Sequence, residues 1–217
     1  MCDERSAPTK ETIKKRGAIL NIAAGRFAPL LLEEFKPYHL INVDWMYSHG
    51  IDNMRTIEEW FSSWETTEAR CDTVYCKIDI WEFLENFSRR FNHIVIYRFL
   101  EHIPRAKMDY FIYLLSGVLK VGGYIDCIVP NYELLAGMIL NEPMVDKKDW
   151  EAHDILVTTE LLNEPPDSHA SIWTPDRAEY YFEKEKRFKV EGIEPKFRFD
   201  GRDIYMRFFA KRVERSE

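Results

Sequence analysis

The arrangement of apolar segments in this sequence predicts an α/β fold: a Rossmann-like, doubly wound and mostly parallel seven-stranded sheet, with helices on both faces and an antiparallel C-terminal strand. Short apolar segments rich in β-branched residues alternate with helical segments through the first 130 residues. The early strand segments lack the apolar–polar alternation of solvent-facing strands, which is typical of parallel strands buried on both faces. One more helix and two closing strand segments complete the pattern.

Each element of the first half has its own local signal. Pro37 stops the first helix, and the segments IEEWFSSW and RAKMDYFIYLLSGVL have helical spacing. The segments DTVYCKID and NHIVIYRF have the β-branched content of strands. Tyr110, Phe111 and Tyr113 are interpreted as core packing. In chain order, the predicted strands are 18–24, 38–44, 72–79, 92–99 and 124–130, and the predicted helices between them are 28–35, 57–64, 81–91 and 105–119.

The second half begins with a long segment that breaks this rhythm. Residues 131–172 are rich in acids and contain prolines, and they predict an insertion or lid over the site. Thr174 is a suitable N-cap with Pro175 at the first helical position. The remaining predicted elements are a helix over 174–185 and strands over 188–197 and 203–213.

Composition limits the class of protein. The 217 residues are 46% apolar, which favours one domain over 1–217, and the polar residues 1–14 are expected to fray. A net charge of −7 repels a phosphate backbone, so no nucleic-acid partner is expected. No apolar run approaches the ~20 residues of a membrane helix, and the polar start predicts a cytoplasmic protein. The four cysteines form no CxxC pair, so no metal site is predicted.

Polar residues follow each of the first four predicted strands, where one crevice at the carboxyl edge of a parallel sheet could collect them. Asp44 lies 23 residues beyond Asn21, a separation at which an acid ending the second strand binds ribose hydroxyls. Asp79 could accept a hydrogen bond from an adenine amino group while Ile80 presents its backbone N–H to a ring nitrogen. The alternatives are a turn residue at Asp44 and a helix N-cap at Asp79.

The segments LNIAAG, INVDWMY, KIDIWEF, FNHIVIYRFLEHIP and LKVGGYIDCIVPN follow one another as the motifs of class I S-adenosylmethionine-dependent methyltransferases do. The resemblance covers about Gly17 to Asn131. The sequence is most similar to the type 11-like branch of the family, whose motifs contain Leu-Asn, Asn-Val-Asp and Leu-Glu-His. The later segment SHASIWTPDRAEYYFE resembles the start of the last helix in such proteins. The resemblance implies the doubly wound fold and S-adenosyl-L-methionine as cofactor.

Residue by residue, the resemblance assigns a cofactor site. Asn21, Ala23 and Gly25 would line the methionine end, and Asp44 would bind the ribose. The adenine would lie against Trp45 or Met46 and bind Asp79 and Ile80. Three positions depart from the family pattern: Asn21 replaces the common acid of the first motif, and Ala23 and Phe27 stand where glycines are usual.

Methyl transfer needs a positioned nucleophile and a group that takes its proton. Glu101 and His102 follow the fourth strand and are the candidate catalytic residues, since imidazole with an ordinary pKa near ~6.5 suits a general base. The alternative for His102 is packing against the next helix. Arg98 is assigned to the cofactor-binding set as a cation for a carboxylate or phosphate, with an ion pair to Glu101 as the alternative.

The predicted function is therefore a methyltransferase acting on a small-molecule, glycan or protein acceptor. The alternative is a catalytically inactive methyltransferase fold with a structural or assembly role, which Ala23 and Phe27 favour. An NAD-dependent oxidoreductase shares the β–α–β opening but is disfavoured, because the sequence has no G-x-G-x-x-G motif.

Overall fold

The computed structural model describes residues 18–22, 39–44, 73–76, 78–87, 90–141, 171–199 and 201–214. The strands are β1 Ala18–Ile22, β2 His39–Val43, β3 Thr73–Cys76, β4 Phe91–Tyr97, β5 Leu119–Pro130, β6 Phe188–Phe199 and β7 Arg202–Arg212. They form one sheet in the order β3-β2-β1-β4-β5-β7-β6. The order reverses between β1 and β4, where a ligand crevice is expected in a doubly wound sheet.

The register of the sheet aligns the carboxyl ends of its first five strands. These strands pair in parallel, whereas β7 is antiparallel to both β5 and β6. One row of paired residues runs across the sheet near this end and consists of Cys76, Val43, Ile22, Ile96 and Cys127. Residues directly beyond this row therefore share one edge of the sheet.

Helices cover both faces of the sheet. The described helices are α1 Ile80–Asn86, α2 Arg105–Val118, α3 Tyr132–Asn141 and α4 Pro175–Glu183, with a single 3₁₀ turn at Leu100–His102. Buried residues of α1, α2 and α4 share an apolar cluster with Leu20, Ile94 and Ile125. Tyr132 and Leu135 of α3 pack on the opposite face. The predicted α/β class, with helices against a mixed sheet, is confirmed.

Several predicted elements differ from the structure. β5 begins at Leu119, because Gly122 with φ 79° lets the strand continue through the glycine pair instead of starting after it. α3 lies inside the segment predicted as an irregular insertion. Tyr110 and Tyr113 are 47% and 53% exposed, so of the three aromatic residues predicted as core only Phe111 is buried. The predicted helices 28–35 and 57–64, the frayed start and most of the insertion lie outside the described residues.

A buried charged cluster joins three strands on the α3 face of the sheet. The Asp126 carboxylate accepts hydrogen bonds from the Tyr97 hydroxyl at 2.8 Å and from Arg207 Nε and Nη2 at 3.0 and 2.6 Å. Burial lowers the pKa of the neighbouring His93, while Asp126 raises it and Arg207 lowers it. The contacts link β4, β5 and β7 side by side. No helix in the described part of the chain is long and apolar enough to span a bilayer.

Candidate functional site

The predicted site residues that the structure describes gather at one edge of the sheet. Asp44 directly follows Val43 of β2, and Arg98 directly follows Tyr97 of β4. Asp79 lies three residues beyond Cys76 of β3, and Glu101 lies in the 3₁₀ turn after β4. Because β2 and β4 flank β1, their axes are separated by about 10 Å, two strand spacings. This distance suits one extended ligand that crosses the edge.

Asn21 lies in β1 near this edge, and Asp44 directly follows β2. Asp44 is only 7% exposed. Asn21 is buried within β1, and its Nδ2 donates to Asn42 Oδ1 of β2 at 2.8 Å. The Asn21 side chain thus links two strands across the sheet, a structural contact that the sequence motif did not indicate.

Asp79 serves as the N-cap of α1, which was the alternative weighed from the sequence. Its Oδ1 accepts from the backbone N–H groups of Trp81 at 2.8 Å and Glu82 at 3.2 Å. Both bonds use Oδ1, so Oδ2 takes no part in the cap. Ile80 is the first helical residue, and the bonds at this helix start do not use its N–H. Capping and adenine recognition are therefore compatible at this position.

Arg98 has an unusual backbone at the end of β4. Its φ of 55° is in the left-handed region, which costs a non-glycine residue energy and is more common at functional sites. Its N–H donates to Ile128 O of β5 at 2.7 Å, and its guanidinium carbon lies 5.7 Å from the centre of the Tyr205 ring. The backbone therefore turns sharply directly before Leu-Glu-His, and the side chain packs beside β7.

Glu101 is the most unusual group of the site. Its side chain is 0% exposed, and neither carboxylate oxygen has a hydrogen-bond partner in the part of the chain that the structure describes. Burial raises the pKa of the carboxyl from its ordinary 4.5 to about 8, although its own backbone N–H and the charge of Arg98 act to lower it. The sequence allows an ion pair with Glu101 as the alternative role of Arg98. The Arg98 guanidinium makes no hydrogen bond to the Glu101 carboxyl. A neutral carboxyl at pH 7 can donate one hydrogen bond and accept others.

Hydrogen bonds from Ser171, which is distant in the sequence, hold the turn that carries Glu101. The Ser171 N–H donates to Glu101 O at 3.0 Å, and the Ser171 hydroxyl donates to Leu100 O at 3.0 Å. Trp173 Nε1 donates to the same hydroxyl at 3.1 Å. His102 is half-buried, and its N–H donates to Phe99 O at 2.9 Å. Sequence reasoning missed Ser171, because no local pattern connects it to a turn about 70 residues earlier.

The remaining predicted cofactor residues, Ala23, Gly25, Trp45 and Met46, lie outside the described residues, as does Phe27. At the start of the predicted insertion, Asn131 Oδ1 accepts from the N–H groups of Glu133 and Leu134 at 3.1 and 3.4 Å and so caps α3. Within the described ranges, no three His, Cys, Asp or Glu residues are grouped so that they could hold a metal ion.

Comparison with known proteins identifies the fold. No model of a protein family matches the sequence, and no curated protein matches it. A solved S-adenosylmethionine-dependent methyltransferase from Methanosarcina mazei superimposes with a TM-score of 0.55 and 17% identity, over 92% of this chain and 93% of that one. The chain has the methyltransferase fold. At this identity the likeness establishes the fold alone.

Two further structures of the same fold contain bound ligands. The Burkholderia thailandensis 1,6-didemethyltoxoflavin-N1-methyltransferase, solved with 1,6-didemethyltoxoflavin and S-adenosylhomocysteine, has a TM-score of 0.55 and 11% identity, over 94% of this chain and 75% of that one. The plantazolicin methyltransferase BamL, solved with a triazolic desmethylPZN analog and S-adenosylhomocysteine, has a TM-score of 0.53 and 9% identity, over 91% of this chain and 77% of that one. Each of these two proteins was therefore solved with S-adenosylhomocysteine and a second small molecule bound.

The residues at the sheet edge are chemically suited to such a ligand. Asp44 provides a carboxylate for hydroxyl groups, and Asp79 Oδ2 with the Ile80 N–H provides an acceptor and a donor side by side. Glu101 supplies a buried carboxyl whose two oxygens are unpaired. Buried polar groups in folded proteins nearly always have a partner, so the unpartnered Glu101 carboxyl is the feature of this edge that needs an explanation.

Proposed function

We propose that the protein is an S-adenosylmethionine-dependent methyltransferase acting on a small-molecule acceptor. The observation that carries the proposal is the position of Glu101, a fully buried carboxyl without a hydrogen-bond partner, at the same sheet edge as Asp44 and Asp79. A charged or neutral acid in such a place costs folding free energy, because its polar atoms are removed from water without compensation. Such costs are typical of residues kept for chemistry rather than for stability.

Two of the acids, Asp44 and Asp79, would bind the nucleoside part of the cofactor. Asp44 accepts from the ribose hydroxyls. Asp79 Oδ2 accepts from the adenine amino group, and the Ile80 N–H donates to a ring nitrogen. Arg98 would offer a cation for the carboxylate at the methionine end, and the sequence assigns Ala23 and Gly25 to the same end.

When bound, S-adenosylmethionine supplies an activated methyl group, and its transfer leaves the electron pair of the broken S–C bond on sulfur. The acceptor nucleophile forms a new bond to the methyl carbon and loses its proton. His102, half-buried and next to Glu101, takes that proton. Glu101 precedes it in the same 3₁₀ turn and, in its neutral form, holds a proton there instead of adding a negative charge.

An acceptor with an oxygen or nitrogen nucleophile fits this arrangement, because both atoms carry a proton that must leave. Small-molecule acceptors are favoured over glycans and proteins by the kinds of proteins that share the fold. One of these methylates a nitrogen of 1,6-didemethyltoxoflavin, and another from Burkholderia thailandensis is an O-methyltransferase family protein.

The test is calorimetric titration of the protein with S-adenosylmethionine and S-adenosylhomocysteine, together with two matched variants. Asp44→Asn keeps the size of the side chain and removes its charge, and we expect it to weaken both ligands about tenfold or more, since hydrogen bonds to a charged group are worth about 1.5–3 kcal/mol. Glu191→Gln is the control, because Glu191 pairs with Lys211, whose strand partner Tyr124 lies in the middle of β5 and not at its carboxyl end. A folded wild-type protein that binds neither ligand would overturn the proposal.

The second candidate is a protein that keeps the fold and binds no cofactor. The sequence favours it at two positions, since Ala23 and Phe27 stand where the family pattern has glycines. The same titration separates the candidates. Binding that depends on Asp44 but not on Glu191 supports the enzyme, and His102→Asn is then expected to abolish methyl transfer while it leaves ligand affinity within about twofold.

A further inference from the structure

Ser171 makes an unusual set of contacts around Glu101. Its backbone N–H donates to Glu101 O at 3.0 Å, and its hydroxyl donates to Leu100 O at 3.0 Å. The carbonyls of Leu100 and Glu101 belong to the two peptide groups on either side of the Glu101 Cα. One residue therefore holds both peptide groups whose orientations set the direction of the Glu101 side chain.

The hydroxyl of Ser171 is itself oriented. Trp173 is completely buried, and its Nε1 donates to Ser171 Oγ at 3.1 Å. Because that bond uses an acceptor position of the hydroxyl, the hydroxyl proton is left for the two carbonyls in reach, Leu100 O at 3.0 Å and Glu101 O at 3.5 Å. Trp173 packs against Tyr181 of α4 and Phe208 of β7, so the contact is anchored in the core of the protein.

We propose that Ser171 is a positioning residue for Glu101, which holds the carboxyl in its buried place at the carboxyl edge of β4. This inference rests on the proposed function, in which Glu101 belongs to the site. The Glu101 carboxyl has no hydrogen-bond partner among the described residues to keep it buried, whereas the backbone on both sides of its Cα is held by Ser171.

The groups around the Glu101 carboxyl explain why its position matters. Arg98 on the turn after β4 attracts the ionised form, and Cys127 of β5 lies close enough for the charge of Glu101 to affect the pKa of its thiol. Neither group donates a hydrogen bond to the carboxyl. If the turn relaxes, the carboxyl can approach water or Arg98, and its ionised form becomes easier to reach.

The experiment follows the carboxyl itself by ¹³C NMR of protein labelled at the glutamate side-chain carboxyl, titrated with acid and base. Glu101→Gln identifies the Glu101 signal. The variants are Ser171→Ala, which removes the hydroxyl, and Ser171→Thr, which keeps a hydroxyl at this position. The matched control is Ser116→Ala, because Ser116 is also buried and also donates its hydroxyl to a backbone carbonyl, that of Tyr113.

We expect the titration midpoint of Glu101 to fall by about one pH unit or more in Ser171→Ala, and to stay at the wild-type value in Ser171→Thr and Ser116→Ala. A midpoint unchanged in Ser171→Ala would overturn the inference. If the alanine variant does not fold, Ser171→Cys, with a similar volume and a much weaker donor, is judged by the same criterion.

Titration of the same proteins with S-adenosylhomocysteine separates this inference from the proposed function. A wild-type protein that does not bind the ligand, but whose Glu101 midpoint depends on Ser171, would remove the methyltransferase proposal and keep the positioning contact. Binding with a midpoint independent of Ser171 would remove the positioning role alone.

Discussion

The buried carboxyl of Glu101 makes the stability of this protein depend on pH in an unusual direction. Burial raises the pKa of Glu101 from 4.5 to about 8 in the folded protein. The unfolded chain therefore releases this proton at a lower pH than the folded chain does. A group with a raised folded-state pKa stabilises fully below its unfolded pKa, and that contribution is lost as the pH rises toward the folded value.

Glu101→Gln removes this dependence while it keeps the shape of the side chain. Each pH unit between the two pKa values lowers the free energy of unfolding by about 1.4 kcal/mol. Between pH 5 and pH 8 the Glu101 carboxyl is therefore expected to cost the wild-type protein about 3–4 kcal/mol that the glutamine variant does not lose. The stability of the variant relative to the wild type should therefore rise by about 3–4 kcal/mol from pH 5 to pH 8.

The assay is urea denaturation of both proteins across pH 5–9. The informative quantity is the difference in unfolding free energy between variant and wild type, because other titrating groups cancel in it. Glu185→Gln, which changes an exposed glutamate, is the control and should give a flat difference. A flat difference for Glu101→Gln as well would show that Glu101 ionises normally, and the argument for a buried neutral acid would fail.

Two further predictions concern the scaffold that holds the site. Asp126→Asn leaves the largely buried Arg207 without its bidentate counter-ion and should cost about 3–5 kcal/mol in urea denaturation, so a loss below about 1 kcal/mol would contradict a structural role for this cluster. Gly123→Ala places a Cβ 2.8 Å from Asn92 O, which should lower the unfolding free energy by about 1–3 kcal/mol in thermal denaturation. Gly117→Ala, a helical position with nothing within 4 Å, should instead be neutral or stabilising.

The sheet could be predicted from the sequence because its signals are local. Strands buried on both faces need continuous apolar segments, and AILNI and HLINV show them directly. The signal for the start of α4 is also local. Thr174 Oγ1 accepts from the Arg177 N–H at 3.3 Å, and Pro175 lies in the first turn. Asp79 illustrates a limit, because one sequence position supports both an N-cap and a ligand contact, and the sequence does not separate them.

The features missed in the sequence depend on contacts between distant segments. The prediction of an insertion or lid over 131–172 does not include α3, because acids and prolines dominate that segment. The local signals of the helix are Asn131 as a good N-cap and the helical spacing of YELLAGMIL. The exposure of Tyr110 and Tyr113 follows from the orientation of α2 on the sheet, which periodicity alone does not fix. The pairing of Ser171 with the turn at Leu100–His102 depends on the path of the chain between them.

The neutral state of Glu101 also matters for the change of charge during the proposed methyl transfer. A sulfonium carries a positive charge, whereas the thioether left after methyl transfer carries none. An ionised Glu101 would stabilise the sulfonium and oppose the loss of its charge, and a neutral Glu101 would not. Transfer disperses the positive charge, so an acid kept neutral by burial raises the barrier less than an ionised one would. The burial of Glu101, costly for folding, is in this respect favourable for the chemistry proposed at the site.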